Sequence, residues 1–199
     1  MKNTKLKLFP LNIVAYPTKK IPLHIFEEKY KKLVAACIQD DREFGIILNN
    51  TNSLEDIGCS VKIHRLIKQY EDGTMDIVVI GETIFRLTNQ NLVDDIIVGD
   101  IDYLPDLSLS GNKNFEALKV KYLQIIISLT KERDLNHHMT KSSTFELLEM
   151  FQLPIQIEQS LISERSEENR IFILDKYFSS ILANEIFIKN SQYSENEIN

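Results

Sequence analysis

The chain has 199 residues, of which 43% are hydrophobic and 26% charged, and its formal net charge is −6. This composition is typical of a globular protein with enough apolar mass for one large or two small domains. The acidic balance argues against wide contact with phosphate backbones, and no apolar segment approaches the roughly 18 residues of a membrane span.

The first 26 residues predict a strand, a loop and a second short strand. Residues 8–14 form a compact apolar segment, and Pro10 favours a sheet edge or strand start because proline has no N–H for strand pairing. Tyr16 and Pro17 end this segment, since the residue before a proline is disfavoured in helical conformation. Pro22 begins the second extended segment, which ends at Phe26.

An amphipathic helix is predicted over residues 27–39. Its apolar face recurs at helical spacing and consists of Phe26, Tyr30, Leu33 and Val34. Glutamates and lysines occupy the opposite face, which is the pattern of a helix packed on one side against a core.

Residues 43–104 predict several short strands. The pair Asp72-Gly73 indicates a tight hairpin turn with positive φ angles. Gly81 interrupts the returning strand and indicates a bulge or bend that closes a small barrel. A further turn is predicted at residues 89–91, before a last strand that ends near residue 104. The first half of the chain is therefore predicted to be a closed β-structure carrying one helix.

The pattern becomes helical after residue 104. Residues 105–112 are linker-like in composition. Beyond them, one apolar stripe runs from Phe115 to Leu129, Pro154 begins another helix, and Ser166 precedes acidic residues as a helix N-cap does. We therefore predict two domains, residues 1–107 and 108–199, in an α+β protein that ends in a helical bundle.

The sequence lacks the signatures of several enzyme classes. None of its six glycines lies in a Gly-x-x-x-x-Gly-Lys-[Ser/Thr] phosphate loop, and Gly-x-Ser-x-Gly and His-Glu-x-x-His are also absent. Cys37 and Cys59 have no Cys-x-x-Cys partner, so buried free thiols in a reducing compartment are expected. We predict no catalytic residues, no metal and no cofactor, and a cytoplasmic location without a signal peptide.

Several blocks resemble the N-terminal substrate-binding domain of Lon-type ATP-dependent proteases, above all its free-standing versions. The first is residues 8–34, which include Ile-Pro-Leu-His-Ile-Phe-Glu-Glu-Lys-Tyr. Others are Ile57-Gly58-Cys59, the hairpin around Asp72-Gly73-Thr74 with the following strand to Gly81, and Phe85-Arg86-Leu87. Leu153-Pro154-Ile155 and residues 166–170 are similar to later helical segments of the free-standing members.

The resemblance implies a PUA-like β pseudo-barrel with one inserted helix, followed by helices. In full-length Lon this region recruits substrate, while the ATPase and the Ser-Lys peptidase lie downstream. Because the given chain ends at residue 199, we expect neither of those activities here. The implied partners are unfolded or extended polypeptides and, through them, protease machinery; the oligomeric state stays open.

A binding surface is predicted in the opening segment. Its residues are Tyr16, Pro17, Pro22, Ile25, Glu28 and Lys29. An apolar, proline-stiffened segment with a polar rim is typical of an interaction site. Such spacing is more often that of core residues, however, and packing beneath the first helix is the commoner alternative.

Two further functions stay open at this point. PUA-like barrels also occur in RNA-binding proteins, against which the net charge of −6 and the lack of a basic run argue. A small-molecule enzyme would need a polar pocket with a catalytic constellation that no motif here provides.

Overall fold

The computed structural model describes residues 4–50, 53–105, 111–130 and 134–184. The chain divides into two compact units, Met1–Asp106 and Leu107–Asn199. Most of the linker predicted at residues 105–112 lies outside the described residues. The assignment of residues 1–107 and 108–199 as separate domains stays a prediction.

The first unit, which we call the barrel unit, contains six strands and one long helix. They are β1 (Thr4–Leu11), β2 (Lys20–Ile25), α1 (Glu28–Asp40), β3 (Phe44–Asn50), β4 (Ser53–Gln69), β5 (Met75–Val93) and β6 (Ile96–Tyr103). Pairing runs β5-β4-β3-β1-β6, and β6 pairs again with β5, which closes the ring. β2 pairs with the first part of β5. The expected pseudo-barrel with one inserted helix is therefore confirmed.

The position of Pro10 agrees with its missing N–H. β6 pairs with β1 from Thr4 to Leu8, whereas β3 pairs with it, in parallel, from Leu8 to Leu11. Pro10 therefore lies where β1 has a single neighbouring strand. A proline is tolerated there because no ladder hydrogen bond is required on its open side.

Two hairpin turns shape the long strands. The hairpin predicted at Asp72-Gly73 is confirmed, although only Gly73 has a positive φ, of 80°. The turn predicted at residues 89–91 is wrong: those residues continue β5 and pair with β6. The chain instead reverses at Asp94 and Asp95, with φ of 50° and 60°, because aspartate tolerates this region better than most residues.

Two clusters of buried residues stand out among the described residues of the barrel unit. One joins the inner face of α1 to β1–β5 and includes Phe9, Val34 and Phe44, with the Phe9 ring stacked 3.8 Å from that of Tyr30. The other is smaller: Leu6, Leu8, Ile47, Phe85 and Ile101. Amphipathic α1 thus covers one side of the sheet, as its spacing predicted.

Gly81 fixes the loop between β1 and β2. Its N–H donates to the Lys19 carbonyl, and its own carbonyl accepts from the Thr18 N–H, both at 2.9 Å. A β-carbon at Gly81 would overlap the Tyr16 carbonyl oxygen. The loop therefore packs directly on the strand, and only glycine permits that approach.

The second unit is helical. It contains α2 (Lys113–Thr130), α3 (Asn136–Met139), a 3-10 turn (Glu146–Leu148), α4 (Ile155–Ser163) and α5 (Glu167–Asn184). The predicted stripe of α2 is buried from Phe115 to Ile126, but Leu129 is 42% exposed. Pro154 precedes α4, and the Ser166 hydroxyl accepts from the Asn169 N–H, so both predicted helix starts are confirmed. Within the described ranges, no helix combines the length and apolarity needed to cross a membrane.

Candidate functional site

The structure separates the residues of the predicted binding surface. These were Tyr16, Pro17, Pro22, Ile25, Glu28 and Lys29. Tyr16 and Ile25 are only 3% and 1% exposed and belong to the core. Both prolines and Lys29 are half-buried, and Glu28 is exposed. The opening segment is therefore mainly a packing element, and only part of it reaches the surface.

Phe26 lies outside the core, contrary to its predicted place on the apolar face of α1. Its side chain is 63% exposed. The helix begins two residues later, at Glu28, with extended backbone at Glu27. Phe26 therefore does not share the helical phase of Tyr30 and Leu33, and its ring is presented to solvent.

Phe26 is held in what we call the aromatic cluster, which consists of His24, Phe26, Tyr70 and Asp76. The His24 ring is stacked 6.0 Å from that of Phe26 and lies edge-on to Tyr70 at 6.4 Å between centroids. His24 and Asp76 are directly opposite on β2 and β5. The β2–β5 pairing therefore brings this cluster together.

Asp76 is the buried anchor of the aromatic cluster. Its side chain is 3% exposed and accepts from His24 Nδ1 at 2.6 Å and from the Tyr70 hydroxyl at 2.7 Å. Burial opposes its ionisation, but these two hydrogen bonds, together with the charges of His24 and Lys68, outweigh burial and lower the pKa of Asp76. In turn, the bond to Asp76 raises the pKa of Tyr70. The carboxylate thus fixes the orientation of both rings.

A second surface feature is a groove of about 170 Å³ between α1 and β4. It is lined by Cys37, Ile38, Asp41, Arg42, Ile63, His64, Arg65 and Leu66. β3 pairs with β4 only as far as Val61, so α1 adjoins the later part of β4 without a strand between them. Ile38 and Leu66 are 43% and 41% exposed here. The groove has room for an apolar side chain and offers cations at its margin.

Two histidines of the described residues, His24 and His138, have close polar partners. His24 and Asp76 would be two members of a nucleophilic triad, but among the described residues no serine or cysteine side chain is hydrogen-bonded to His24. His138 is buried, with Nδ1 2.6 Å from the Tyr122 hydroxyl in the helical unit. Within the described ranges, no group of three His, Cys, Asp or Glu side chains could hold a metal ion.

Both cysteines are buried and unpaired with each other. Burial raises the pKa of the Cys59 thiol far above its ordinary value, and burial likewise raises that of Cys37. Because the thiolate is the reactive form, we expect both to react slowly with a thiol reagent in the native protein, Cys59 more slowly than Cys37. Mass spectrometry after timed iodoacetamide treatment measures this. Rapid labelling of Cys59 in native buffer would contradict the described packing; guanidinium-unfolded protein provides the fully labelled control.

Sequence reasoning missed the aromatic cluster. Asp76 is a lone carboxylate in the apolar segment Met75–Ile80, which was the available signal of a buried polar anchor. Nothing in the sequence related it to His24, 52 residues earlier, because their pairing depends on the register of β2 and β5.

Two solved structures have a fold similar to that of this chain. Structures of a Lon N-terminal domain protein from Xanthomonas campestris and of the N-terminal domain of a Mycobacterium avium complex Lon protease match with TM-scores of 0.67 and 0.69. Their sequence identities are 23% and 13%. The matches cover 90% and 88% of this chain and 98% of each solved chain. At such identities they show the fold alone.

Sequence comparisons identify the family. Lon protease 2 of Syntrophobacter fumaroxidans is 27% identical over an alignment of 123 residues, and this alignment covers 57% of this chain but 15% of that protease. The family model of the ATP-dependent protease La (LON) substrate-binding domain matches residues 5–175. That match covers the strands, α1 and most of the helical unit. The chain therefore belongs to the family of the ATP-dependent protease La (LON) substrate-binding domain.

Proposed function

We propose that this protein is a non-enzymatic module that binds unfolded or extended polypeptide. The observation that carries the proposal is an exposed aromatic ring, Phe26, stacked on the His24 ring, which the buried Asp76 orients, within a substrate-binding-domain fold. An exposed apolar side chain that is already ordered loses little entropy on binding. Apolar side chains of an unfolded chain are its natural ligands.

The groove between α1 and β4 supports the same proposal. Its partly exposed Ile38 and Leu66 offer a second apolar contact in the barrel unit. Unfolded chains differ in sequence but share apolar side chains separated by flexible backbone. Two modest apolar sites therefore suit many such chains better than one deep, specific pocket.

We further propose that captured chains are passed to a protease, as the family description suggests. Lon protease 2 is far longer than the matched region, so no proteolytic activity is assigned to this chain. The two free cysteines are consistent with a reducing compartment, and we propose that binding takes place in the cytoplasm.

Replacing Phe26 by serine tests the proposal. We expect about fivefold weaker binding of a permanently unfolded probe, reduced and carboxymethylated α-lactalbumin, because about 1 kcal/mol of apolar burial is lost. Fluorescence anisotropy with labelled probe measures the dissociation constant. The matched control is Leu92→Ser, which removes a 67% exposed apolar side chain near the β5–β6 turn.

The affinities of the wild-type protein and the two variants for the unfolded probe are compared. Weaker binding by Phe26→Ser with unchanged binding by Leu92→Ser is the expected result. If all three proteins bind the probe with equal affinity, Phe26 is not part of the binding site. If the wild-type protein does not bind the unfolded probe at all, the proposed function is wrong.

A further inference from the structure

The outer face of β2, β5 and β4 gathers cations that are far apart in the sequence. Residues directly opposite on paired strands project to the same face of a sheet. The strand register gives three transverse rows, Lys20–Ile80–Lys62, Pro22–Val78–Arg65 and His24–Asp76–Lys68. We call these nine residues the cationic face. Alternate β5 residues, Ile77 and Val79, belong to the core on the opposite side.

The middle of the cationic face is apolar and its margins are charged. Ile80 and Val78 are half-buried along β5, with Pro22 beside them. The cations lie on the flanking strands, at about 5 Å from β5 on either side, which is the ordinary strand spacing. They are Lys20 on β2 and Lys62, Arg65 and Lys68 on β4.

Among the described residues, three carboxylates lie near or within this face, and their placement leaves Lys20 and Lys68 as cations at its two margins. Asp76 is buried and committed to His24 and Tyr70. The Asp41 carboxylate lies 3.7 Å from Lys62 Nζ but is 92% exposed, so that ion pair is weak. Glu82 follows on β5 beyond the first row and is exposed. In a chain with a net charge of −6, a locally positive sheet face is therefore a distinct feature.

We infer that the cationic face binds extended polypeptide segments in which acidic residues flank apolar ones. This inference rests on the proposed function and specifies its ligand class. A segment lying along β5 would pack apolar side chains on Ile80 and Val78. Its carboxylates would then lie beside the lysines on either margin, so charge complementarity would select acidic over basic segments.

The same geometry argues against single-stranded RNA as the occupant. Sequence-tolerant RNA binding combines cations with aromatic rings on which bases stack. The central residues here are aliphatic, and the neighbouring Tyr70 ring is already covered by Lys68 Nζ, 4.4 Å from its centroid. The exposed Phe26 ring lies next to His24, at the end of the face, and not along its centre. An apolar side chain suits Ile80 and Val78 better than a base does.

A charge-reversal pair tests this inference. Lys20→Glu/Lys68→Glu reverses one cation on each margin, and Lys5→Glu/Lys32→Glu makes the same change in net charge at exposed positions outside the face. The probe is a fluorescein-labelled 12-residue peptide alternating Leu with Glu, compared with its Leu-Lys counterpart and with labelled oligouridine. Thermal unfolding checks that both variants stay folded.

We expect the wild-type protein to prefer the Leu-Glu peptide, and Lys20→Glu/Lys68→Glu to weaken its binding about tenfold. The control pair should retain binding, and added salt should weaken it. Equal affinity for the Leu-Glu and Leu-Lys peptides, or equal loss in both charge-reversal pairs, would overturn the inference. Tighter binding of oligouridine than of either peptide would also overturn it.

The two proposals fail in different ways. If carboxymethylated α-lactalbumin is bound but acidic and basic peptides are not distinguished, the cationic face is not the binding surface and the proposed function stands. If neither the unfolded protein nor either peptide is bound, both are wrong.

Discussion

Substituting Gly81 by alanine is expected to destabilise the barrel unit by about 3 kcal/mol or more. The new β-carbon would overlap the Tyr16 carbonyl oxygen and lie 2.7 Å from its carbonyl carbon. Both are backbone atoms, so no flexible side chain can move aside. The loop that carries Tyr16 must then leave the strand, which breaks the hydrogen bonds between Gly81 and both Thr18 and Lys19.

Differential scanning calorimetry measures this effect and resolves separate transitions if the two units unfold separately. For a unit of this size, the expected loss lowers its transition midpoint by roughly 10–20 °C. Glu82→Ala is the control, because Glu82 is exposed and adjacent on β5. A midpoint within 2–3 °C of wild type for Gly81→Ala would correspond to a loss of less than about 1 kcal/mol. That result would show that the loop does not pack on the strand as described.

Asp76→Asn is expected to cost about 2 kcal/mol, the second-largest effect predicted here. Asparagine preserves the shape but removes the charge. His24 bonds one carboxylate oxygen and the Tyr70 hydroxyl the other, so the amide NH2 would replace one of these two acceptors with a donor. Chemical unfolding followed by circular dichroism measures the change. Asp56→Asn, at an exposed position on β4, is the control.

The same variant should change the acid dependence of stability. Because the pKa of Asp76 is lower when folded than its ordinary value of 3.8, its contribution is present above pH 3.8. It is lost as the pH falls through the lower folded value. The free energy of unfolding should therefore fall less steeply below pH 4 in Asp76→Asn than in wild type. Parallel curves for the two proteins would contradict the described role of Asp76.

Local sequence signals predicted much of the fold because they depend on neighbouring residues. Helical spacing identified α1 and α2, and the Asp72-Gly73 pair located a hairpin. The turn predicted at residues 89–91 failed because polar asparagine and glutamine side chains are tolerated on the exposed face of a strand. The true turn, at Asp94-Asp95, lacks the glycine that usually identifies such a reversal.

The candidate site was less predictable because it depends on long-range register. Gly81 could be recognised as a strand irregularity, but its close approach to Tyr16 requires the folded loop. The residues of the cationic face come from three strands. Because they are far apart in the sequence, they form no basic run that could have predicted the face. For Tyr16 and Ile25 the sequence left both binding and core packing open, and in the structure both side chains belong to the core.

Intact-mass spectrometry of a captured polypeptide shows whether this protein binds unfolded chains without altering them. Immobilised protein is incubated with carboxymethylated α-lactalbumin, with and without ATP and Mg²⁺. The molecular mass of the probe is then measured in the bound and unbound fractions. We expect capture above a blank resin, with full recovery of the probe at an unchanged mass in every fraction. Fragments, a modified mass that depends on this protein, or no capture above the blank would contradict it.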